Sequence, residues 1–432
     1  MFVSDSLGIN ESGVLTIGGM DTVKLAEKYG TPLYVFDEDS IRENCRAYVK
    51  SIEDNYGGNG LVLYASKAFS CLAMYRIAKE EGLGVDVVSG GELYTANKSG
   101  FPMNRVYFHG NNKTLEEIKL GIALDVGVFV VDNLCELEHI DYFAALEHKK
   151  IDVMLRIKPG IDAHTHSFIR TGQIDSKFGF ALETGEAMEA AKRAARMRSI
   201  NLVGIHCHIG SQIFDIEPFV LAARVMVDFM AKVKEETGKE LSQLNLGGGF
   251  GIKYMSEDKP VPYGGYMTRV ADAVKETCEK TGVTLPKIII EPGRSIIGSE
   301  GITLYRIGNI KTIPNIRTYV SVDGGMGDNP RYILYQSKYE FICANKANEP
   351  KTKTVTVAGK CCESGDLLGE NVELQDVEGG DYLAVLSTGA YNYSMASNYN
   401  RIPRPAAVMV KGGEDRLIIR RESYEDLTEN DL

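Results

Sequence analysis

The chain has 432 residues, of which 44% are hydrophobic and 25% charged, and a formal net charge of −11. Two domains are expected at this length, and the acidic balance argues against a nucleic-acid surface built on basic patches. No apolar run reaches membrane-spanning length, no secretory signal opens the chain, and the eight cysteines fit no disulfide or zinc spacing, so a reducing cytoplasm is the expected setting.

In chain order, Val14–Ile17 and Pro32–Phe36 predict short strands on either side of an amphipathic helix, Asp21 to Tyr29, with Asp21 placed to cap it. A second helix is predicted over Glu38–Ile52, ahead of the glycine turn Gly57-Gly58-Asn59-Gly60. Eight short apolar runs follow: Leu61–Ser66, Val85–Ser89, Val106–His109, Val126–Val131, Val153–Ile157, Leu202–His208, Leu244–Leu246 and Ile288–Ile290. Most intervals between them carry helical periodicity, as in Asn133–Glu147 and Pro218–Glu236. Such alternation implies parallel pairing through right-handed crossovers, and eight units predict a (β/α)8 TIM-like barrel rather than an open doubly wound sheet.

After Pro292 the texture becomes β-rich: Tyr319–Val322, Tyr339–Cys343, Thr354–Val357, Tyr382–Leu386 and Ala407–Val410. The last run is joined to Leu417–Arg420 through Gly412-Gly413, a hairpin signature. A second, all-β domain is therefore expected, with both chain ends in it: a barrel over 38–292 and a β domain of 1–37 with 293–432. The acidic tail Glu422–Leu432 is expected to fray.

In such a barrel the chemistry lies at the C-terminal ends of the strands. Those ends carry Lys67, then Asp86 and Glu92, then His109, then His206-Cys207-His208 with Ser211, then Gly247-Gly248-Gly249, then Glu291-Pro292-Gly293-Arg294. A lysine at the mouth of a buried strand becomes a nucleophile able to form a Schiff base, unless it snorkels to water. Successive glycines let backbone N–H groups face an anion, although a tight turn also uses them. Glu291 ends an apolar strand and needs a partner, either Arg294 or a protonated ring nitrogen. A carbonyl for Lys67, a phosphate for the glycines and a ring nitrogen for Glu291 together describe pyridoxal 5′-phosphate. His206 and His208, spaced to share a strand face, alternatively suggest a metal-dependent hydrolase with help from His164 and His166.

Tyr64-Ala65-Ser66-Lys67-Ala68, Ser89-Gly90-Gly91-Glu92-Leu93, Gly204–Gln212, Leu246–Gly251 and Glu291–Arg294 closely resemble the fold-type III pyridoxal-phosphate decarboxylases. Asp328-Asn329-Pro330-Arg331, Cys362-Glu363-Ser364-Gly365-Asp366 and Thr388-Gly389-Ala390-Tyr391 resemble the branch of that family acting on meso-diaminopimelate, in the last step of lysine synthesis. The resemblance implies a homodimer whose sites use residues of both subunits, with Lys67 joined to the cofactor and His208 stacked on its ring. It further implies phosphate contacts from Ser211, Gly248 and the Gly293-Arg294 backbone, and Glu291 at the pyridine nitrogen. Arg294, Arg331 and Tyr335 would hold the distal end of the substrate, and Glu363 of the partner subunit its distal ammonium. Cys362 would return the proton, rather than being a passive buried thiol, and Tyr391 would touch cofactor and substrate. The rivals are a sister decarboxylase for ornithine, arginine or a carboxylated polyamine, the metal hydrolase, and a non-catalytic relative. No metal, nucleic acid or membrane partner is expected.

Overall fold

The computed structural model of the protein describes residues 2–161 and 175–432, so His164 and His166 lie outside the described residues. The chain divides into two compact units, one of Cys45–Gly251 with Pro260–Gly293, the other of Met1–Asn44, Ile252–Lys259 and Arg294–Leu432.

The first unit holds eight parallel strands: β1 (Gly60–Ala65), β2 (Gly84–Val87), β3 (Val106–Phe108), β4 (Val128–Val131), β5 (Ile151–Lys158), β6 (Ile200–His206), β7 (Gln243–Asn245) and β8 (Lys287–Ile290). Each pairs with the next, and β8 returns to β1 with Ile288 opposite Gly60 and Ile290 opposite Val62, so the sheet is a closed barrel and not an open one. Leu63, Tyr107, Val128, Val130, Met154, Val203 and Ile289, drawn from six strands, form one buried cluster inside it. The strands read as unbroken apolar runs because helices cover the face that the interior does not. On the helix Glu186–Arg196 that burial falls on Ala187, Ala190, Ala191 and Ala194, a stripe at helical spacing. Three of the strand-to-helix loops end in a cap: Ser89, Thr114 and Asn133 accept the N–H of Glu92, Glu117 and Glu136. The caps fix where each loop stops, which steadies the rim.

One expected strand is shorter than its apolar run. β6 stops at His206, because its neighbour β7 ends at Asn245, and His208 lies in the loop beyond. The two histidines therefore do not share a regular strand face.

In the second unit, a 13-residue strand, β9 (Gly301–Ile313), organises the sheet, although its mixed polarity and Gly308 hid it from periodicity. Its first half pairs antiparallel with Leu33–Asp37 and Tyr382–Val385, and its second half with Arg317–Val322. Alternate side chains feed two cores, Ile302 and Leu304 into one, Tyr305 and Ile307 into the other. The helix after the N-terminal strands is capped by Asp21 Oδ1, which accepts from Val23 and Lys24. The C-terminal tail, expected to fray, makes ion pairs: Arg404 Nε meets Glu422 at 2.7 Å, Arg420 meets Asp426 at 2.7 Å and Arg401 meets Asp431 at 2.8 Å. Among the described residues, no helix is long and apolar enough to cross a membrane.

Candidate active site

Lys67 follows β1 in a turn of 3-10 helix, Ser66–Ala68, and its side chain is exposed on the barrel rim rather than dehydrated within it. The turn is anchored by Ser66 Oγ, which donates to Glu92 Oε2 at 2.9 Å while Val88 N–H donates to the same oxygen at 2.8 Å. Burial pushes the Asp86 and Glu92 carboxyls up, and the charge on Lys67 works against that rise at both. Asp86 Oδ1 is buried with no hydrogen-bond partner among the described residues.

Glu291, at the end of β8, has three donors rather than an arginine. His109 Nε2 lies 2.8 Å and Asn245 Nδ2 2.7 Å from Oε1, and His206 Nε2 lies 3.2 Å from Oε2. Burial alone would raise this carboxyl; His109 and His206 hold it well below its ordinary value. Burial pushes the His206 imidazole down to about 4, so it donates as a neutral ring. The metal reading fares differently. The ligand atoms of His109, His206 and Glu291 lie within 4.8 Å of one another, but His208 is not of this group. His208 instead faces the glycine turn, where its Nδ1 receives the Gly248 N–H at 3.3 Å. Burial first, then the charges of Lys67 and Arg156, keep His208 neutral.

The glycine turn is lined by backbone. A Cβ on Gly248 would sit 2.1 Å from the Glu291 carbonyl oxygen, and Gly249, at φ +111°, would bring one to 2.3 Å from that of Gly210. No side chain fits there, because neighbouring backbone already approaches these glycines closely. Gly293 packs on the end of β1, where a Cβ would stand only 2.9 Å from that of Ala65. Ser211 lies in the bend after β6.

In the other unit, Arg294 and Arg331 are both buried, and their guanidinium carbons stand 4.7 and 5.4 Å from the centre of the Tyr391 ring. Tyr391 adopts φ +67°, a conformation that costs a non-glycine residue about 1–3 kcal/mol and persists only where the surroundings impose it. Arg294 also donates to the Tyr254 hydroxyl. Arg331 lies 5.1 Å from the Tyr335 ring centre, donates to Ser337 Oγ at 3.4 Å, and keeps a buried Nε with no hydrogen-bond partner among the described residues.

Cys362 and Glu363 occupy a separate, exposed loop, so Cys362 is not a buried thiol. The loop is pinned at both ends of the cysteine pair: Asp366 Oδ2 accepts Cys361 N–H and Asn400 Oδ1 accepts Cys362 N–H, each at 2.7 Å. Glu363 makes a local bond, accepting Gly365 N–H at 3.2 Å. Motif and spacing missed Asn245, Arg156, Tyr254 and Asn400. Only Asn245 carried a signal, a polar residue inside the apolar run of β7.

A carboxylate held ionised in a buried site, with one acceptor position to spare, suits a protonated ring nitrogen, and the rim lysine suits an aldehyde. One molecule, pyridoxal 5′-phosphate, has both, and the backbone-lined turn suits its phosphate, so the barrel is that of a pyridoxal-phosphate enzyme. Residues 38–298 match the family model of the pyridoxal binding domain of pyridoxal-dependent decarboxylases. The chain is 50% identical over 432 residues to the diaminopimelate decarboxylase of Bacillus subtilis (strain 168), covering 100% of this chain and 98% of that one. The Synechocystis sp. (strain ATCC 27184 / PCC 6803 / Kazusa) diaminopimelate decarboxylase is 47% identical over 98% of this chain and 91% of its own. The crystal structure of the M. jannaschii diaminopimelate decarboxylase in complex with L-lysine matches with a TM-score of 0.91 and 40% identity, over 100% of this chain and 99% of that one. The chain belongs to the diaminopimelate decarboxylase family. A lysine/ornithine decarboxylase from Vibrio vulnificus, 22% identical with a TM-score of 0.76 over 90% of this chain and 97% of that one, shares the fold.

Proposed function

We propose that the protein removes one α-carboxylate of meso-2,6-diaminopimelate as carbon dioxide and releases L-lysine, the last step of lysine synthesis. The full-length identity to named diaminopimelate decarboxylases carries this reading. Pyridoxal 5′-phosphate, when bound, supplies an aldehyde that captures amines and a ring that accepts the electron pair left by carbon dioxide. Lys67 would hold that aldehyde and be the group that the substrate amine displaces. His208 covers one face of the ring, and Glu291 keeps a proton on its nitrogen. Ser211, Gly248 and the Gly293-Arg294 backbone would hold the phosphate. The substrate has an amino-acid group at its non-reacting end as well. Arg331, with Arg294 and Tyr335, meets the distal carboxylate, for which a bidentate guanidinium is the matched partner. Glu363 of a second copy meets the distal ammonium, Tyr391 lies against cofactor and substrate, and Cys362 returns a proton to Cα after carbon dioxide has left.

In this reading residues 38–292 bind the cofactor and 1–37 with 293–432 form the β portion; the family match over 38–298 supports the first range. The active form is a homodimer with shared sites, working in the reducing cytoplasm, a setting that the eight free cysteines suit. The test is an absorbance scan followed by meso-diaminopimelate and assays for carbon dioxide and lysine. A visible absorbance band of the bound cofactor, with turnover, is expected. The band without turnover points to ornithine- or arginine-type substrates, and no band after added cofactor overturns the reading.

A further inference from the structure

Glu291 presents a problem that the cofactor alone does not solve. Its carboxylate is 6% exposed, and burial at that level favours the protonated, neutral acid. A protonated Glu291 cannot keep a proton on a ring nitrogen, because the two would share it the wrong way round. Something in the barrel has to hold the acid ionised without consuming every acceptor position.

We propose that His109, His206 and Asn245 are positioning residues that hold Glu291 as a carboxylate and leave one acceptor position, on Oε2, so that the proton shared with the cofactor stays on the ring nitrogen. The inference rests on the reading that this ring nitrogen meets Glu291. The hydrogen-bond count leads to it. Oε1 accepts from His109 at 2.8 Å and from Asn245 at 2.7 Å, which fills it, whereas Oε2 accepts from His206 at 3.2 Å. The donors come from three different strand ends, so the barrel itself sets their convergence. None of the three is replaceable by water from the bulk, since His109, His206 and Asn245 are 3%, 1% and 0% exposed.

The surroundings carry charges of both signs. Asp86 on β2 is a like charge, and the field of Glu291 adds to burial in raising the tendency of Asp86 to take a proton. Arg156 on β5 is a buried cation that feels Glu291; burial lowers its pKa, the neighbouring carboxylates oppose that, and the guanidinium stays charged. Burial first, then the field of the carboxylate, keeps Tyr107 on β3 and Cys207 beside His206 from ionising, so neither adds a second negative charge beside Glu291. His206 is neutral, and its contribution is a directed N–H rather than a net charge. Asn245 also reaches the other way, where its Oδ1 accepts the Gly247 N–H at 2.9 Å, so one amide ties the carboxylate to the glycine turn. The two ends of the cofactor are thus registered through a single side chain.

The test reads the proton directly. Holoprotein is prepared with pyridoxal 5′-phosphate labelled with nitrogen-15 at the ring nitrogen, and the ring resonance is recorded by NMR. The parent protein and His206→Gln, which keeps an N–H donor, are expected at the pyridinium position. His206→Leu and, independently, His109→Leu are expected to move the resonance toward neutral pyridine. Removing one donor shifts the ratio of ring-protonated to acid-protonated forms by about tenfold, or about 1.4 kcal/mol. Circular dichroism and a cofactor titration confirm that each variant is folded and saturated, so a packing defect is separated from a lost donor. Two independent sites keep the test usable if one variant fails to fold. A folded, saturated leucine variant whose ring stays at the pyridinium position overturns the proposal. A neutral ring in the parent protein, or a resonance unmoved by Glu291→Gln, instead overturns the placement of the ring nitrogen at Glu291.

Discussion

Replacing Arg331 by alanine tests the choice of substrate most directly. The side chain is 8% exposed, lies 5.1 and 5.4 Å from the Tyr335 and Tyr391 ring centres, and has a buried Nε with no hydrogen-bond partner among the described residues. An arginine left with an open donor in a dry site is prepared for a carboxylate, and removing one partner of a buried charge pair costs about 2–5 kcal/mol. That range corresponds to a fall of about thirtyfold to several thousandfold in kcat/KM. The loss belongs in substrate binding, because this guanidinium is assigned to the non-reacting end of the molecule. Arg331→Lys restores the charge but not the planar fork, and stays well below the parent. The assay is steady-state lysine formation beside a titration of the cofactor-free protein with pyridoxal 5′-phosphate. The reasoning is refuted if kcat/KM changes by less than about threefold, or if cofactor affinity falls as far as substrate affinity does.

Three further outcomes are expected. Gly248→Ala places a methyl 2.1 Å from the Glu291 carbonyl oxygen, so the backbone must move; cofactor affinity falls by about tenfold or more, and an unchanged titration would contradict the close-approach account. His206 is the pH-sensitive element: the unfolded chain protonates this imidazole near its ordinary value, whereas the folded protein does so only near about 4. Its stabilising contribution is therefore complete above that ordinary value and is lost as pH falls toward 4. Denaturant titrations of the cofactor-free protein should show His206→Gln losing less than the parent across that window, by up to about 3 kcal/mol, and parallel curves would remove the argument. In the cysteine pair, Cys362 is exposed while burial, with the nearby Asp366, pushes the Cys361 thiol up to about 11. Iodoacetamide near neutral pH should label Cys362 at least about tenfold faster, as read by peptide mass spectrometry, and preferential labelling of Cys361 would reverse the assignment.

Periodicity carried the fold a long way, because a closed parallel barrel repeats one local unit and each unit announces itself by its apolar run. It failed at β9, where Gly301–Ile313 mixes buried and exposed positions and pairs with three strands elsewhere in the chain. It also ran β6 two residues too far, since apolarity continues through Cys207 while the partner strand does not. The tail looked loose because only Asp426 has a nearby partner, Arg420; Glu422 and Asp431 find Arg404 and Arg401, 18 and 30 positions away.

By itself, the sequence determined which side chains reach the barrel rim: Lys67, His208, Glu291 and the glycine turn follow from strand ends, which are local. Only the tertiary structure decided what those side chains do to one another. Glu291 meets His109 from 182 positions away, His206 from 85 and Asn245 from 46, and no spacing in the chain foretells that the three converge on one carboxylate. Hydrogen bonds and ionisation depend on distance in space and on exclusion of water, and both are settled when the barrel closes.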